Sequence, residues 1–201
     1  MIKIWRFLVV CTILSLLNGC TPVGKLIQND SGLALKKSKE GYVISGKTTT
    51  SAVGSVMYVW PIRLNRNKSA SITCKLLVRK GFSDSNNITI GFISDKGYTY
   101  TFGPRNRAYY AINDQKQIYD TKNVKPLFGD ESQKYHEIVV NYEGKDKIFR
   151  GYVDGILFGE IDSKQIESQN DNYLTNIFFG YNTLGKDIEV DVVFKDFKIK
   201  K

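Results

Sequence analysis

Tyr135-His136-Glu137-Ile138-Val139-Val140-Asn141-Tyr142, a break at Glu143-Gly144-Lys145-Asp146, and then Lys147-Ile148-Phe149-Arg150-Gly151-Tyr152-Val153-Asp154-Gly155-Ile156-Leu157-Phe158-Gly159-Glu160-Ile161 decide how this chain reads. Side chains of an extended strand alternate between two faces, so Ile138, Val140 and Tyr142 fall together. Asp154-Gly155, with β-formers on both sides, is the pair a tight hairpin turn needs, because both central positions require positive φ. The stretch therefore predicts three consecutive antiparallel strands.

The flanks continue the pattern. On the C-terminal side, Asp162 to Asn172 is polar with room for one short helical turn, and Tyr173–Gly180 and Ile188–Ile199 read as strands. In the last of these, Ile188, Val190, Val192 and Phe194 share one face whereas Phe197 and Ile199 have the opposite parity. A bulge near Lys195-Asp196 would restore the register and is predicted there. On the N-terminal side the expected strands are Tyr42–Ser45, Val56–Leu64, Ala70–Arg79, the hairpin Asn87–Ile93 with Tyr98–Phe102, and Ala108–Ile112. Pro61 places its strand at an edge or beside a bulge. Gly103 to Arg107 reads as a basic loop. Many short strands without a helical period predict an all-β fold of two packed antiparallel sheets.

The 201 residues carry 29 Lys and Arg against 20 Asp and Glu, a net charge of +9. That surplus suits an anionic partner such as an acidic glycan, phospholipid or lipopolysaccharide, or a solvated lysine-rich face. No phosphate loop, nucleotide fingerprint or RNA-stacking motif is present, which argues against nucleic acid as a partner. Cys74 shares parity with Ile72 and Leu76 and reads as a buried small hydrophobe, with no disulfide expected.

Met1 to Cys20 opens with Lys3 and Arg6, continues apolar from Phe7 to Leu17, and ends on a small residue before a cysteine. The apolar part is short for a membrane span and reads as an export signal. Leu17-Asn18-Gly19-Cys20 resembles the bacterial lipobox, which implies cleavage before Cys20 and acylation of its sulfur. The division expected is a signal peptide over 1–19, a lipidated tether over 20–40, in which Leu33 and Leu35 could start an edge strand, and one domain over 41–201. Thr21 after the cysteine implies outer-membrane delivery by the sorting rule of bacterial lipoproteins.

The late strands resemble concanavalin A-like lectin/glucanase and laminin G-like domains. Tyr135-His136, the alternating aliphatics and Tyr152-Val153-Asp154-Gly155 carry the likeness, together with Asn176-Ile177-Phe178-Phe179-Gly180 and the closing strand. The resemblance implies a jelly-roll sandwich and a lectin-like, glycosidase or adhesion role, since the fold hosts all three.

Candidate chemistry is weighed against that frame. Tyr98, Tyr100 and Phe102 share a face beside Arg105 and Arg107. With Tyr109 and Trp60 they are the candidate carbohydrate platform, apolar rings with polar edges. The competing expectation is that many of these rings belong to the core. Glu189 and Asp191 share a strand face, but Phe194 stands where the Glu-x-Asp-x-(x)-Glu pattern of related glucanases has its acid/base, so catalysis by two carboxylates lacks a member. His136, the single histidine, is expected to be structural. No cofactor is expected; a structural calcium ion would need loop oxygens such as Asp84, Asn86 and Asp95, which lack calcium spacing. The leading expectation is non-catalytic binding of a glycan or cell-envelope polysaccharide by a membrane-anchored domain. A glycoside hydrolase of the glucanase or keto-disaccharide type and a protein-interaction module are the alternatives.

Overall fold

In a computed structural model, the structure describes residues 24–28, 32–49, 53–81, 86–103, 107–112, 116–120, 134–165 and 171–201. The strands are β1 (Lys25–Gln28), β2 (Leu33–Ser38), β3 (Gly41–Lys47), β4 (Val53–Asn65), β5 (Ala70–Lys80), β6 (Asn86–Ser94) and β7 (Tyr98–Gly103). They continue with β8 (Arg107–Ile112), β9 (Lys116–Asp120), β10 (His136–Glu143), β11 (Ile148–Val153), β12 (Ile156–Asp162), β13 (Tyr173–Leu184) and β14 (Glu189–Lys200). One 3-10 turn, Ser163–Gln165, interrupts them, inside the polar segment where a short helical turn was expected.

Two seven-stranded sheets face one another, in the orders β1-β4-β13-β6-β7-β8-β9 and β12-β11-β10-β5-β14-β3-β2. We call them the front and back sheets. All pairings among the described residues are antiparallel. This is the all-β fold of two packed antiparallel sheets that alternation and turn spacing predict, in the jelly-roll form that the resemblance implies.

The central stretch folds as read. β10, β11 and β12 pair in sequence, and the turn between the last two has φ of 49° at Asp154 and 79° at Gly155. Both are left-handed, as a type I′ hairpin requires. A side-chain clamp fixes this turn. The Asp154 carboxylate takes the Nδ1 of His136 at 2.6 Å through one oxygen and the Glu137 backbone N–H at 2.9 Å through the other. His136 is thus a structural residue at the head of β10. The predicted bulge is present too: β14 shifts register against β5 between Lys195 and Lys198, with Asp196 at φ 55°. Its effect is to turn Phe197 inward against Phe179 and Trp60. Pro61 lies where β4 runs on beyond the four residues paired with β1, opposite a register shift in β13.

One expected boundary moves. Residues 20–40 were expected to be a tether, yet β1 and β2 lie inside that range and join the front and back sheets. Leu33 is fully buried and Leu35 packs against the core. The strand is hard to see because its later positions are the exposed Lys36 and Lys37, so only two apolar residues mark it. Residues 1–23, including Cys20, lie outside the described residues.

The core between the sheets is largely aliphatic and aromatic, with Cys74 buried in it and its thiol pushed upward by that burial. It also encloses one ion pair. Arg66 donates from Nη1 to Asp171 at 3.2 Å and from Nη2 to Ser163 Oγ at 2.6 Å. Its guanidinium stands 5.1 Å from the centroids of both Tyr100 and Tyr142. Tyr142 donates its hydroxyl to the Arg66 carbonyl at 2.5 Å. A buried charge persists only when paired and hydrogen-bonded, and this one is held through both terminal nitrogens.

Candidate functional site

The predicted platform divides when its residues are placed. Tyr100 is fully buried, stacked on Phe149 with centroids 4.1 Å apart and planes 13° apart, and it donates its hydroxyl to Asp171 at 3.2 Å. Burial raises its phenol well above the ordinary range. It is a core residue and cannot meet a sugar. Phe102 is likewise buried, edge-on to Phe158. Tyr98 is half-buried and packs against the same core. Trp60 is half-buried among Tyr42, Tyr58, Phe179 and Phe197. The reason is one of parity: in Tyr98-Thr99-Tyr100-Thr101-Phe102 the ring-bearing positions are also the apolar ones, so burial claims them first.

The other parity faces outward. Arg105 lies outside the described residues, but the β7–β8 register sets Arg107 opposite Gly103 and Tyr109 opposite Thr101. Those are positions of the outer face of the front sheet, the face turned away from the core. Across it the registers align Lys25 with Val59, Ile27 with Met57, Phe178 with Val59 and Gly91, Gly180 with Met57 and Thr89, and Asn182 with Ser55 and Asn87. Arg107 and Tyr109 thus share a face with Thr89, Thr101 and Asn182, whereas Tyr100 and Trp60 do not.

Hydroxyls, amides and glycines stand among the apolar Val59, Ile93 and Phe178 in the middle of this face. At Gly91 an added Cβ would stand 1.9 Å from the Tyr100 carbonyl oxygen, and at Gly180 it would stand 2.4 Å from that of Val56. The strands approach closely there because no side chain intervenes. Thr89, beside Gly180, is fully buried and Thr101 nearly so. The Oγ of Thr89 and the Oδ1 of Asn182 are both shielded from solvent and have no hydrogen-bond partner. The two residues are diagonal neighbours on adjacent strands. An unsatisfied buried polar atom costs about 1–3 kcal/mol, so natural folds hold few of them without a use. Once the side chains around them part, a hydroxyl and an amide oxygen can accept from, and the hydroxyl can donate to, a ligand's hydroxyl groups.

Among the described residues, no Asp or Glu occupies an outer-face position of the front sheet. The acids suggested by the glucanase-like strand lie in the back sheet and are already paired. Glu189 is 2.7 Å from Lys80, which holds its carboxyl below the usual range, and Asp191 is 3.7 Å from Arg79. Farther along that sheet, Arg150 joins Glu143 and Glu160. No group of three or more His, Cys, Asp or Glu side chains converges on a metal position among the described residues.

No protein-family model matches this sequence, and no curated protein matches it either. Solved structures share its fold. Family 7 alginate lyase A1-II′ superposes with a TM-score of 0.56 at 8% identity over 83% of this chain and 82% of that one. The carbohydrate recognition domain of Emp47p gives 0.53 at 10% identity, over 87% of each chain. The carbohydrate-binding module CBM66 from Bacillus subtilis gives 0.52 at 14% identity, over 88% of this chain and 95% of that one. At identities this low the superpositions show the fold alone, a two-sheet jelly roll.

Sequence reasoning missed Thr89, Asn182 and the Arg66–Asp171 pair. Alternation marks Thr89 and Thr101 as polar positions between apolar ones, a signal that was available. That Thr89 and Asn182 are neighbours depends on β6 pairing with β13, some ninety residues later in the chain.

Proposed function

We propose that this chain is a lipid-anchored protein of the bacterial cell envelope, held at the outer membrane by acylated Cys20, whose jelly roll binds a glycan without cleaving it.

 The binding surface is the outer face of the front sheet around Thr89, Asn182 and the register positions of Arg107 and Tyr109. The observation that carries the reading is the pair of shielded oxygens without partners, Thr89 Oγ and Asn182 Oδ1, on a face with no carboxylate among its described residues. Sugar hydroxyls complete such atoms once the surrounding side chains part to admit them, and a carboxylate-free face on a chain whose net charge goes from +9 to +7 when Lys3 and Arg6 leave with the leader favours an acidic polymer over a neutral one. Retaining or inverting hydrolysis needs two carboxyl groups across a bond, and this face supplies neither among the described residues. Three of the fold's neighbours are a polysaccharide lyase, a carbohydrate recognition domain and a carbohydrate-binding module, which agrees with the reading without deciding it.

The test is a titration of the protein with a panel of acidic and neutral polysaccharides, with product release followed in parallel. The expected result is saturable binding of an acidic polysaccharide, weakened about tenfold or more in Asn182→Ala, with chain length unchanged. Shortening of the polymer, or no binding across the panel, contradicts it. Mass spectrometry of the membrane fraction tests the anchor: an N-terminal acylated Cys20 is expected, lost in Cys20→Ser.

A further inference from the structure

We propose that β1 and β2, the edge strands on one side of the sandwich, seat the domain against an anionic bilayer surface; this rests on the acylation of Cys20 proposed above. β1 starts at Lys25, so the chain from Cys20 can span at most about 17 Å at full extension. An acylated Cys20 therefore keeps β1 near the lipid headgroups whatever path the intervening residues take.

The strand held there is unusual for the surface of this protein. Leu26 and Ile27 are 43% and 42% exposed, two of the few large hydrophobic side chains open to solvent. They lie on opposite faces of β1, opposite Tyr58 and Met57. Both are open because β1 is the terminal strand of the front sheet, with β4 as its partner on one side. Its outer edge, which no described strand covers, presents backbone N–H and C=O groups, which pair with phosphate oxygens and water at headgroup depth but not in hydrocarbon.

β2 is the terminal strand of the back sheet on the same side, in contact with β4 across the core. The Gln28 side-chain amide donates to the Leu33 carbonyl and ties the two edges together. Lys25, Lys36, Lys37 and Lys39 are all exposed around them, and Lys25–Gln28 and Leu33–Lys39 contain no acidic residue. Basic side chains beside a bilayer are drawn to anionic headgroups, and the paired apolar side chains add shallow insertion. In this orientation the front sheet runs outward from the membrane in the order β1-β4-β13-β6. With strands about 4.8 Å apart, Thr89 on β6 stands about 14 Å beyond β1, clear of the lipid edge.

Hydrogen exchange on the acylated full-length chain in phosphatidylethanolamine–phosphatidylglycerol vesicles tests this, with the Cys20→Ser chain in solution as reference. Exchange across residues 25–28 is expected to slow about tenfold on the vesicles. It should return toward the solution rate in the double variant Leu26→Asp, Ile27→Asp, which still sediments with the vesicles and keeps its melting temperature. A sedimenting wild-type chain that exchanges at the solution rate overturns the inference while leaving the anchor intact. Protection that appears without vesicles and grows with protein concentration also overturns it, by assigning the edge to a second copy of the chain. A chain that fails to sediment has no lipid at Cys20, and then the anchor reading falls together with this one.

Discussion

The outer faces of the two sheets are made by the same strand geometry and filled by opposite chemistry. On the back sheet, charges answer one another: Glu189 with Lys80, Asp191 and Glu40 with Arg79, Glu143 and Glu160 with Arg150. On the front sheet threonine, asparagine and glycine stand among apolar positions such as Phe178 and Val59, and two of the polar oxygens have no hydrogen-bond partner. The back face has one such atom too, Asp191 Oδ1, but it stands 3.7 Å from the Arg79 guanidinium and so lies within an ion pair. A face that leaves a buried hydroxyl and amide oxygen unsatisfied carries a cost that an incoming group can relieve. The difference separates a solvated surface from a binding surface more clearly than the number of exposed rings does.

The largest expected effect lies beneath the front face. Tyr100→Ala removes a ring stacked between Phe149 and the Arg66–Asp171 pair, and should cost about 3–5 kcal/mol in denaturant unfolding. A change below 1 kcal/mol would return Tyr100 to the list of surface rings. At the head of β10, Asp154→Asn keeps a residue tolerant of positive φ but removes the carboxylate that holds His136 and the Glu137 N–H. Burial pushes the Asp154 carboxyl up, but the His136 and Glu137 hydrogen bonds together bring it below the ordinary value. A depressed carboxyl stabilises the fold above its unfolded pKa and ceases to do so as pH falls through the folded value. The wild-type advantage over Asp154→Asn should therefore be about 1 kcal/mol or less at neutral pH, given the exposure of the pair, and shrink toward zero on acidification. An advantage that grows in acid would contradict the clamp. The smallest effect belongs to the back face: Glu189→Gln should leave both the melting temperature and polysaccharide binding unchanged, because exposed ion pairs contribute little. Loss of binding in that variant would move the functional surface to the other sheet.

Much of the fold was legible because its signals are local. Asp154-Gly155 specifies its turn by residue type alone, and the parity change between Phe194 and Phe197 requires a bulge whatever the strand pairs with. Leu33 and Leu35 sufficed to suggest that an edge strand begins there, but the lysines at its solvent-facing end hid that β2 belongs to the domain and not to a tether. The binding face was legible only in part. Arg107 and Tyr109 were singled out and stand at positions of that face, but the rings of Tyr100 and Trp60 were drawn inward by the same apolar character that made them attractive as a platform. Thr89 and Asn182 become neighbours through pairing of strands distant in the chain, which no short stretch encodes.

Thr89→Val, studied without ligand and with the polysaccharide that binds best, tests the central claim most directly. It exchanges a buried, unpartnered hydroxyl for a methyl group of similar size, leaving the rest of the face in place. The account predicts a free protein as stable as wild type or more so by about 1 kcal/mol, together with affinity reduced about tenfold. A variant that is less stable yet binds with undiminished affinity would show that the hydroxyl serves the fold, and would contradict the assignment of this face as the binding site.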